Sequence, residues 1–276
     1  MKKLRITLLA LCAGIFLGCF ATPAMDVNAA SKSKEKAQKV VSEDEILLTQ
    51  LIQYRDMLVG AGASQAEIDN ANNAIVAQQY QMALKAQVAA QQAAQAAILS
   101  NYQATVDAMM SGKVKNNTNG VVFVGDSRFV MMHQAMGETG VMYVAQGWMG
   151  YDWLVETAIP KLDPCVGPGV RVVINLGVND LENKDKYIAK VNELAALWGA
   201  RGAKIYYATV NPAGPGARQS EYQINEFNNA LRNRLVGVNI LETNGFLKYV
   251  GYNLVDEVHY DGPTSAKVYY YIMNNI

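Results

Sequence analysis

Val121-Val-Phe-Val-Gly-Asp-Ser127 places a short β-rich run directly before a turn, and a helix-like segment follows from about Arg128 to Met136. The same succession of apolar run and helical segment is repeated to the end of the chain. The further strands are predicted at Val141–Val144, Val170–Leu176, Lys204–Val210 and Val238–Leu241. The further helices are predicted near 152–162, 184–199, 219–235 and 263–275. Strands that alternate with helices predict an α/β fold, with a parallel sheet and helices on both of its faces.

Polar residues and glycines are concentrated where the predicted strands end. They are found at Gly125–Ser127, Gly147–Gly150, Gly177–Asp180 and Asn211–Pro212. In open parallel sheets, binding sites form where the loops leave the carboxyl ends of the strands. The pattern therefore predicts the position of an active site without reference to any known protein.

Three residues suited to nucleophilic chemistry come from distant parts of the chain. Ser127 follows the first strand beside a helix N-terminus, although an ordinary helix-capping serine fits the same position. Asp256 lies three residues before His259 and can accept an imidazole N–H, which fixes the tautomer and leaves the other nitrogen to take a hydroxyl proton. His133, the second of the two histidines, lies on the helix after Ser127 and is rotated roughly 240° from it. A surface histidine is the better interpretation of His133.

Two positions can bind negative charge on a substrate oxygen. Asn179, in the stretch Gly177-Val-Asn-Asp180, follows the third strand and can aim its side-chain amide at an oxyanion. The alternative is a turn asparagine that caps the next helix. Gly150 follows the second strand, and the absence of a Cβ lets a backbone amide approach the substrate closely.

Taken together, these residues resemble the SGNH/GDSL hydrolase family. The Gly-Asp-Ser block ends at Ser127, the Gly-x-Asn-Asp block contains Asn179, and the Asp-x-x-His block consists of Asp256 and His259, in the order of the family. The resemblance covers residues 120–276. It implies a three-layer, flavodoxin-like α/β domain that acts through an acyl-enzyme and needs neither a metal nor another cofactor.

The same resemblance implies a role for each residue. Ser127 is expected to be the nucleophile, His259 the base, and Asp256 the residue that orients the base. The oxyanion hole is expected to consist of the Ser127 amide, the Gly150 amide and the Asn179 side chain.

The second block of the chain departs from the family pattern. That block often begins with Asn at the position occupied here by Ala145. Gly150 is assigned to the oxyanion hole by its place in the block, and Gly147 is the alternative.

The first 30 residues have the layout of a secretory signal peptide. Its basic residues are Lys2, Lys3 and Arg5. An uncharged stretch, Ile6–Met25, follows, and cleavage is expected after Ala29 or Ala30. Two alternatives are a lipid anchor at Cys19, which ends a lipobox-like stretch, and an uncleaved apolar anchor. All three place the mature chain at the cell surface or outside the cell.

Residues 31–111 predict a helical coiled-coil hairpin. Gly60-Ala-Gly62 ends its first helix, and Ser64-Gln-Ala-Glu67 has the pattern of a capping box for the second. Neither proline nor glycine occurs from there to Met110, so one helix of roughly 70 Å is expected. The hairpin is interpreted as a spacer or self-association element, and a docking arm for a cell-envelope partner is the alternative. The predicted divisions are 1–30 (signal peptide), 31–111 (hairpin), 112–119 (linker) and 120–276 (hydrolase domain).

Composition excludes several classes of function. The 24 basic and 24 acidic residues give a formal net charge of zero, which argues against a protein that holds nucleic acid by its phosphates. The three cysteines are Cys12, Cys19 and Cys165, and the first two lie in the predicted signal peptide. Neither a disulfide framework nor a thiolate metal cluster is therefore expected in the mature chain.

The expected activity is that of an exported serine esterase that removes acyl groups, above all O-acetyl groups, from a cell-envelope or extracellular glycan. Trp148, Tyr151 and Trp153 near the second block either stack on sugars or pack a helix onto the sheet. Three alternatives remain. They are a lipid or lysophospholipid acylhydrolase, an O-acyltransferase, and a non-enzymatic envelope scaffold that works through its coiled coil.

Overall fold

The computed structural model describes residues 41–115 and 117–276. The predicted signal peptide, its cleavage site, the alternative lipid anchor at Cys19 and the first ten residues of the predicted hairpin lie outside the described residues. Within the described ranges, no helix is both long enough and apolar enough to cross a membrane.

Two helices form a hairpin at the start of the described chain. Helix α1 spans Glu43–Gly60 and helix α2 spans Gln65–Met110. Both begin at capping boxes, in which the side chains of Ser42 and Ser64 pair with Glu45 and Glu67 respectively. In the described part of this compact unit, which extends to Leu84, the buried apolar residues are Leu51, Ala71 and Ile75. Its polar contacts include the Gln78 amide, which donates to the Asp44 carboxylate at 3.2 Å.

The second compact unit, residues 85–276, contains five parallel strands. The strands are β1 (Val121–Gly125), β2 (Met142–Ala145), β3 (Arg171–Asn175), β4 (Lys204–Ala208) and β5 (Asn239–Leu241). Their order across the sheet is β2-β1-β3-β4-β5. Because β1 pairs with β2 and β3, Gly125 lies beside both Ala145 and Asn175. The loops that follow these three strands therefore leave the same edge of the sheet side by side.

The helices of this unit follow the strands in the predicted alternation. They are α3 (Ser127–Met136), α4 (Tyr151–Trp153), α5 (Ile159–Leu162), α6 (Lys184–Ala200), α7 (Glu221–Arg234), α8 (Thr243–Val250) and α9 (Gly262–Asn275). A π-helical turn, Leu154–Ala158, joins α4 to α5. Helix α8 was not predicted from the sequence.

The side chains of each strand alternate between two apolar cores. In β1, Val122 and Val124 contact the core that α6 and α7 cover. Val121 and Phe123 contact the opposite core, which includes side chains of α3, α8 and α9. This period of two residues is the one that a sheet buried on both faces requires. The arrangement is a three-layer, doubly wound α/β domain, and the fold class predicted from the sequence is confirmed.

The last part of α2 belongs to the compact unit that contains the sheet. Tyr102 is buried, and its hydroxyl donates to the Glu242 carbonyl at 3.3 Å. The ring also contacts Phe246 of α8 edge-on, with 5.7 Å between centroids. Gly245 makes room for this contact, because a Cβ there would overlap the Tyr102 hydroxyl oxygen. From the sequence alone, this segment is predicted to belong to the hairpin of residues 31–111.

Replacing Gly245 with Ala tests this packing, because helix propensity and a tight contact predict opposite changes in the free energy of unfolding. Alanine usually stabilises a helix by about 1 kcal/mol relative to glycine. Here we expect the free energy of unfolding to fall by about 1–3 kcal/mol, because the new methyl group overpacks against Tyr102. Urea denaturation measures the difference. Gly199→Ala in α6 is the matched control, because a Cβ there meets no atom within 4 Å. A stabilised Gly245→Ala protein would contradict the packing of α2.

Candidate active site

The turn between β1 and α3 is built around a close contact. A Cβ at Gly125 would lie 2.7 Å from the Phe129 ring and 2.8 Å from the carbonyl oxygen of Asn175. Asp126 is the capping residue of α3, since its carboxylate accepts the Arg128 N–H at 2.9 Å. The interpretation of Ser127 as the helix cap is therefore wrong, because the preceding residue fills that role. The Ser127 hydroxyl is left to bind another group.

Ser127, His259 and Asp256 form a continuous chain of hydrogen bonds. The distance between His259 Nε2 and Ser127 Oγ is 2.7 Å. On the other side of the ring, His259 Nδ1 lies 2.7 Å from Asp256 Oδ2. The structure thus brings together the three residues that the sequence analysis selected as a triad, across 132 residues of chain between the serine and the histidine.

The charge of Asp256 fixes the direction of its hydrogen bond with His259. Contacts with the His259 ring and with the backbone N–H of Val258 lower the pKa of Asp256 to about 2. The carboxylate is therefore ionised at neutral pH and can only accept, so His259 Nδ1 carries the proton. In the neutral imidazole, Nε2 has a lone pair that can accept the Ser127 hydroxyl proton. Because the folded pKa lies below the unfolded value, the stabilisation from this pairing is complete above pH 4 and is lost as the pH falls toward 2.

Asp256 and His259 are held in one small loop. Leu254 and Tyr260 form an antiparallel bridge at its base. The backbone N–H of Val255 donates to the His259 carbonyl at 2.8 Å. Asp256 Oδ1 accepts the backbone N–H of His259, also at 2.8 Å. The acid and the base are thus oriented by local contacts, independently of the serine.

Asn179 and Asp180 both bind the loop that follows β2. The Asn179 side-chain amide donates to the Met149 carbonyl at 2.9 Å. The Asp180 carboxylate accepts the Tyr151 N–H at 2.8 Å, and a Cβ at Gly150 would lie 2.5 Å from the same carboxylate oxygen. The structure therefore brings Asn179 and Gly150 together. It does not show Asn179 capping a helix, which was its alternative interpretation, since its described side-chain contact is with Met149.

The two glycines of this loop lie next to different residues. The position of a Cβ at Gly147 is 4.0 Å from the Ser127 Cβ, whereas Gly150 faces Asp180. One N–H of the Asn179 amide is used by Met149, and the other remains for a ligand. The assignment of the Ser127 amide, the Gly150 amide and the Asn179 side chain to an oxyanion hole stays a prediction.

Arg128 is a residue of the site that the sequence analysis missed. Its side chain is only 5% exposed. The guanidinium donates to the carbonyl oxygens of Val258 at 3.0 Å, Asn211 at 3.0 Å and Pro212 at 3.1 Å, and it lies 5.2 Å from the centroid of the Tyr260 ring. One side chain on α3 thus holds the loop after β4 and the loop that carries His259. The available signal was an arginine placed immediately after the candidate nucleophile.

His133 has an unrelated environment. Its ring stacks on Tyr143 with 4.4 Å between centroids, and its Nε2 lies 3.5 Å from a Glu138 carboxylate oxygen. This agrees with the interpretation of His133 as a helix-surface histidine.

No protein-family model matches the chain, and no curated protein matches its sequence. Solved structures do resemble it. A member of the lipolytic protein G-D-S-L family from Veillonella parvula is 10% identical, and the match covers 56% of this chain and 97% of that one with a TM-score of 0.45. A GDSL-like lipase from Bacteroides thetaiotaomicron is 19% identical over 54% of this chain and 83% of that one, with a TM-score of 0.41.

Axe2, an acetylxylan esterase from Geobacillus stearothermophilus, is 14% identical over 55% of this chain and 91% of that one, with a TM-score of 0.40. Each of these matches is to a protein that differs from the chain at most aligned positions.

Arg128→Lys tests how far one side chain holds the two loops. A lysine keeps the charge but cannot reach three carbonyl oxygens with a planar fork of donors. Because carbonyls are left unpaired, we expect the free energy of unfolding to fall by about 2–4 kcal/mol in urea denaturation. Arg218→Lys, at an exposed position, is the control and should change stability by less than about 0.5 kcal/mol. Equal stability of the two variants would contradict the role of Arg128.

Proposed function

We propose that residues 120–276 form an SGNH-type serine ester hydrolase. The observation that carries this proposal is the hydrogen-bond chain from Ser127 through His259 to Asp256, with 2.7 Å at each link. A serine hydroxyl, an imidazole and an ionised carboxylate in this order are the arrangement that activates a serine nucleophile. The position of the three groups at the carboxyl edge of a parallel sheet supports the same conclusion.

The first half of the reaction forms an acyl-enzyme. Ser127 Oγ attacks the ester carbonyl carbon while His259 Nε2 takes the hydroxyl proton, and the carbonyl oxygen becomes an oxyanion. As the tetrahedral intermediate collapses, the bond to the alcohol oxygen breaks and the imidazolium returns its proton to that oxygen. Asp256 stabilises the imidazolium without taking a proton. Water then attacks the acyl-enzyme in the same way and releases the acid.

The oxyanion needs hydrogen-bond donors beside the nucleophile. The second N–H of the Asn179 amide and the backbone amides of Ser127 and Gly150 are the donors that we assign to it. Donors held in place before the reaction stabilise charge that develops in the transition state. Asn179 is fixed by Met149 before any substrate arrives, which supports this assignment.

The substrate that we propose is an O-acetylated glycan of the cell envelope or the extracellular space. The signal-peptide pattern of residues 1–30 supports export, and the predicted coiled-coil hairpin supports a spacer that keeps the catalytic unit at the envelope or associates with a second copy. The Asp256 end of the triad is open to solvent, since the Asp256 side chain is 45% exposed, whereas the His259 side chain is 18% exposed. An open site can accept an acetyl group on a large polymer without enclosing the polymer.

Ser127→Ala and His259→Ala test the triad. Each change should lower kcat for 4-nitrophenyl acetate by about 10⁶, and the double variant should be scarcely worse, because the residues act as one unit. His133→Ala is the matched control histidine and should retain activity. Circular dichroism of all four proteins checks the fold. If His133→Ala were as inactive as His259→Ala, the base would be misassigned.

Product analysis with acetylated glycan separates the remaining alternatives. Released acetate supports the hydrolase, and acetyl groups recovered on an added sugar acceptor support the O-acyltransferase. A preference for long-chain phospholipid esters supports the lipid acylhydrolase. Absence of ester turnover by the folded wild-type protein would leave the non-enzymatic scaffold.

Asn179→Ala separates an oxyanion donor from a structural residue. If the amide binds the oxyanion, kcat should fall by roughly 10²–10³ with a smaller change in KM, because the donor acts on charge present only in the transition state. Kinetics and the unfolding midpoint should be measured on one preparation. An unchanged kcat with a lowered midpoint would mean that Asn179 only holds the Met149 carbonyl.

A further inference from the structure

The loop between β2 and α4 is fixed at both ends by the candidate active site. The Gln146 N–H donates to the Gly125 carbonyl at 3.2 Å, which ties the start of the loop to the turn before Ser127. At its other end, Met149 is held by Asn179 and Tyr151 by Asp180. The loop is therefore a rigid part of the rim of the site.

Trp148 lies between these fixed points in a conformation that a bulky residue rarely adopts. Its φ is 66°, in the left-handed region where a Cβ is close to the backbone. Its side chain is nevertheless 80% exposed, so burial of the indole does not compensate for this conformation. Strain of this kind persists where the surrounding structure enforces it and is concentrated at functional sites.

The neighbouring aromatics differ from Trp148. Tyr151 packs edge-on against Tyr187, with 5.4 Å between centroids, and Trp153 is half-buried against the same apolar core. These two side chains therefore pack the helical segment onto the sheet, as one of the two interpretations from the sequence required. Trp148 is the member of the group that presents its ring to solvent.

We propose that Trp148 is a binding platform for the sugar ring that carries the scissile ester. The inference rests on the proposed function of the triad and adds a contact for the alcohol side of the substrate. A pyranose has an apolar C–H face and a rim of hydroxyl groups. A flat, exposed indole can cover that face while the hydroxyls stay hydrated, so no polar group is buried without a partner.

The surroundings of Trp148 favour a sugar over a long acyl chain. An acyl chain gains most of its binding energy from an enclosed apolar groove. Trp148 follows Gly147, which has no side chain to form a wall and lies beside Ser127, and the Asp256 side chain is 45% exposed. A single exposed ring, on the residue that follows the glycine beside Ser127, suits a flat and amphipathic ligand better than a flexible chain.

Kinetics on three non-aromatic esters test the platform in the full mature chain. Glucose pentaacetate carries the sugar, ethyl acetate lacks it, and ethyl decanoate offers a long acyl chain; a pH-stat follows all three. The variants are Trp148→Asn, which tolerates a positive φ without the ring, and Trp148→Phe, which retains a ring. Tyr80→Ala is the control, because Tyr80 is 66% exposed on α2 in the other compact unit.

We expect the loss of kcat/KM in Trp148→Asn to be about tenfold larger on glucose pentaacetate than on ethyl acetate. This difference should come from a higher KM for the sugar ester. Trp148→Phe should recover most of this difference, and Tyr80→Ala should show none. Equal losses on the sugar and ethyl esters would overturn the platform and leave the esterase intact. A larger loss on ethyl decanoate would overturn the sugar assignment. A folded wild-type protein inactive on all three esters would overturn the proposed function itself, and the platform with it.

Discussion

The turn from β1 into α3 leaves no space for a side chain at Gly125, and the rest of the site depends on this contact. Phe129, one helical turn further on, and the carbonyl oxygen of Asn175 on β3 occupy the volume that a Cβ would need. The N-terminus of α3 is therefore held against the end of the sheet. Ser127 reaches the carboxyl edge because of this position, and Arg128 can turn inward beneath it.

The buried guanidinium of Arg128 supplies hydrogen-bond donors to backbone carbonyls at the carboxyl edge of the sheet. Loops that leave the carboxyl edge carry backbone carbonyls without strand partners, and buried carbonyls need donors. Arg128 supplies donors to Asn211 and Pro212 in one loop and to Val258 in another. Burial raises the pKa of the adjacent Asp126, and the charge of Arg128 opposes that effect. One side chain thus donates to carbonyl oxygens of two loops, and one of these loops carries His259.

The strands, and the three residues of the proposed triad that the structure brings together, could be predicted from the sequence for physical reasons. Strands buried on both faces are continuous apolar runs, and a triad needs residue types that few other positions offer. Arg128 was missed because its partners are backbone carbonyls 83 to 130 residues away, which have no signature in sequence. The role of Tyr102 was missed for a similar reason. Tyr102 lies in an alanine-rich helix. The glycine that it packs against, Gly245, is on α8, a helix of eight residues that was not predicted from the sequence.

The loop of Asp256 and His259 closes on itself through Leu254–Tyr260 and the Val255–His259 hydrogen bond. Two of the three groups of the triad are therefore assembled within one short stretch of chain. During folding, only one of the two hydrogen bonds of the triad, between the His259 imidazole and Ser127, has to form between distant parts of the chain. Such a self-contained acid–base unit can keep its internal geometry while the strands and helices before it change in sequence and length.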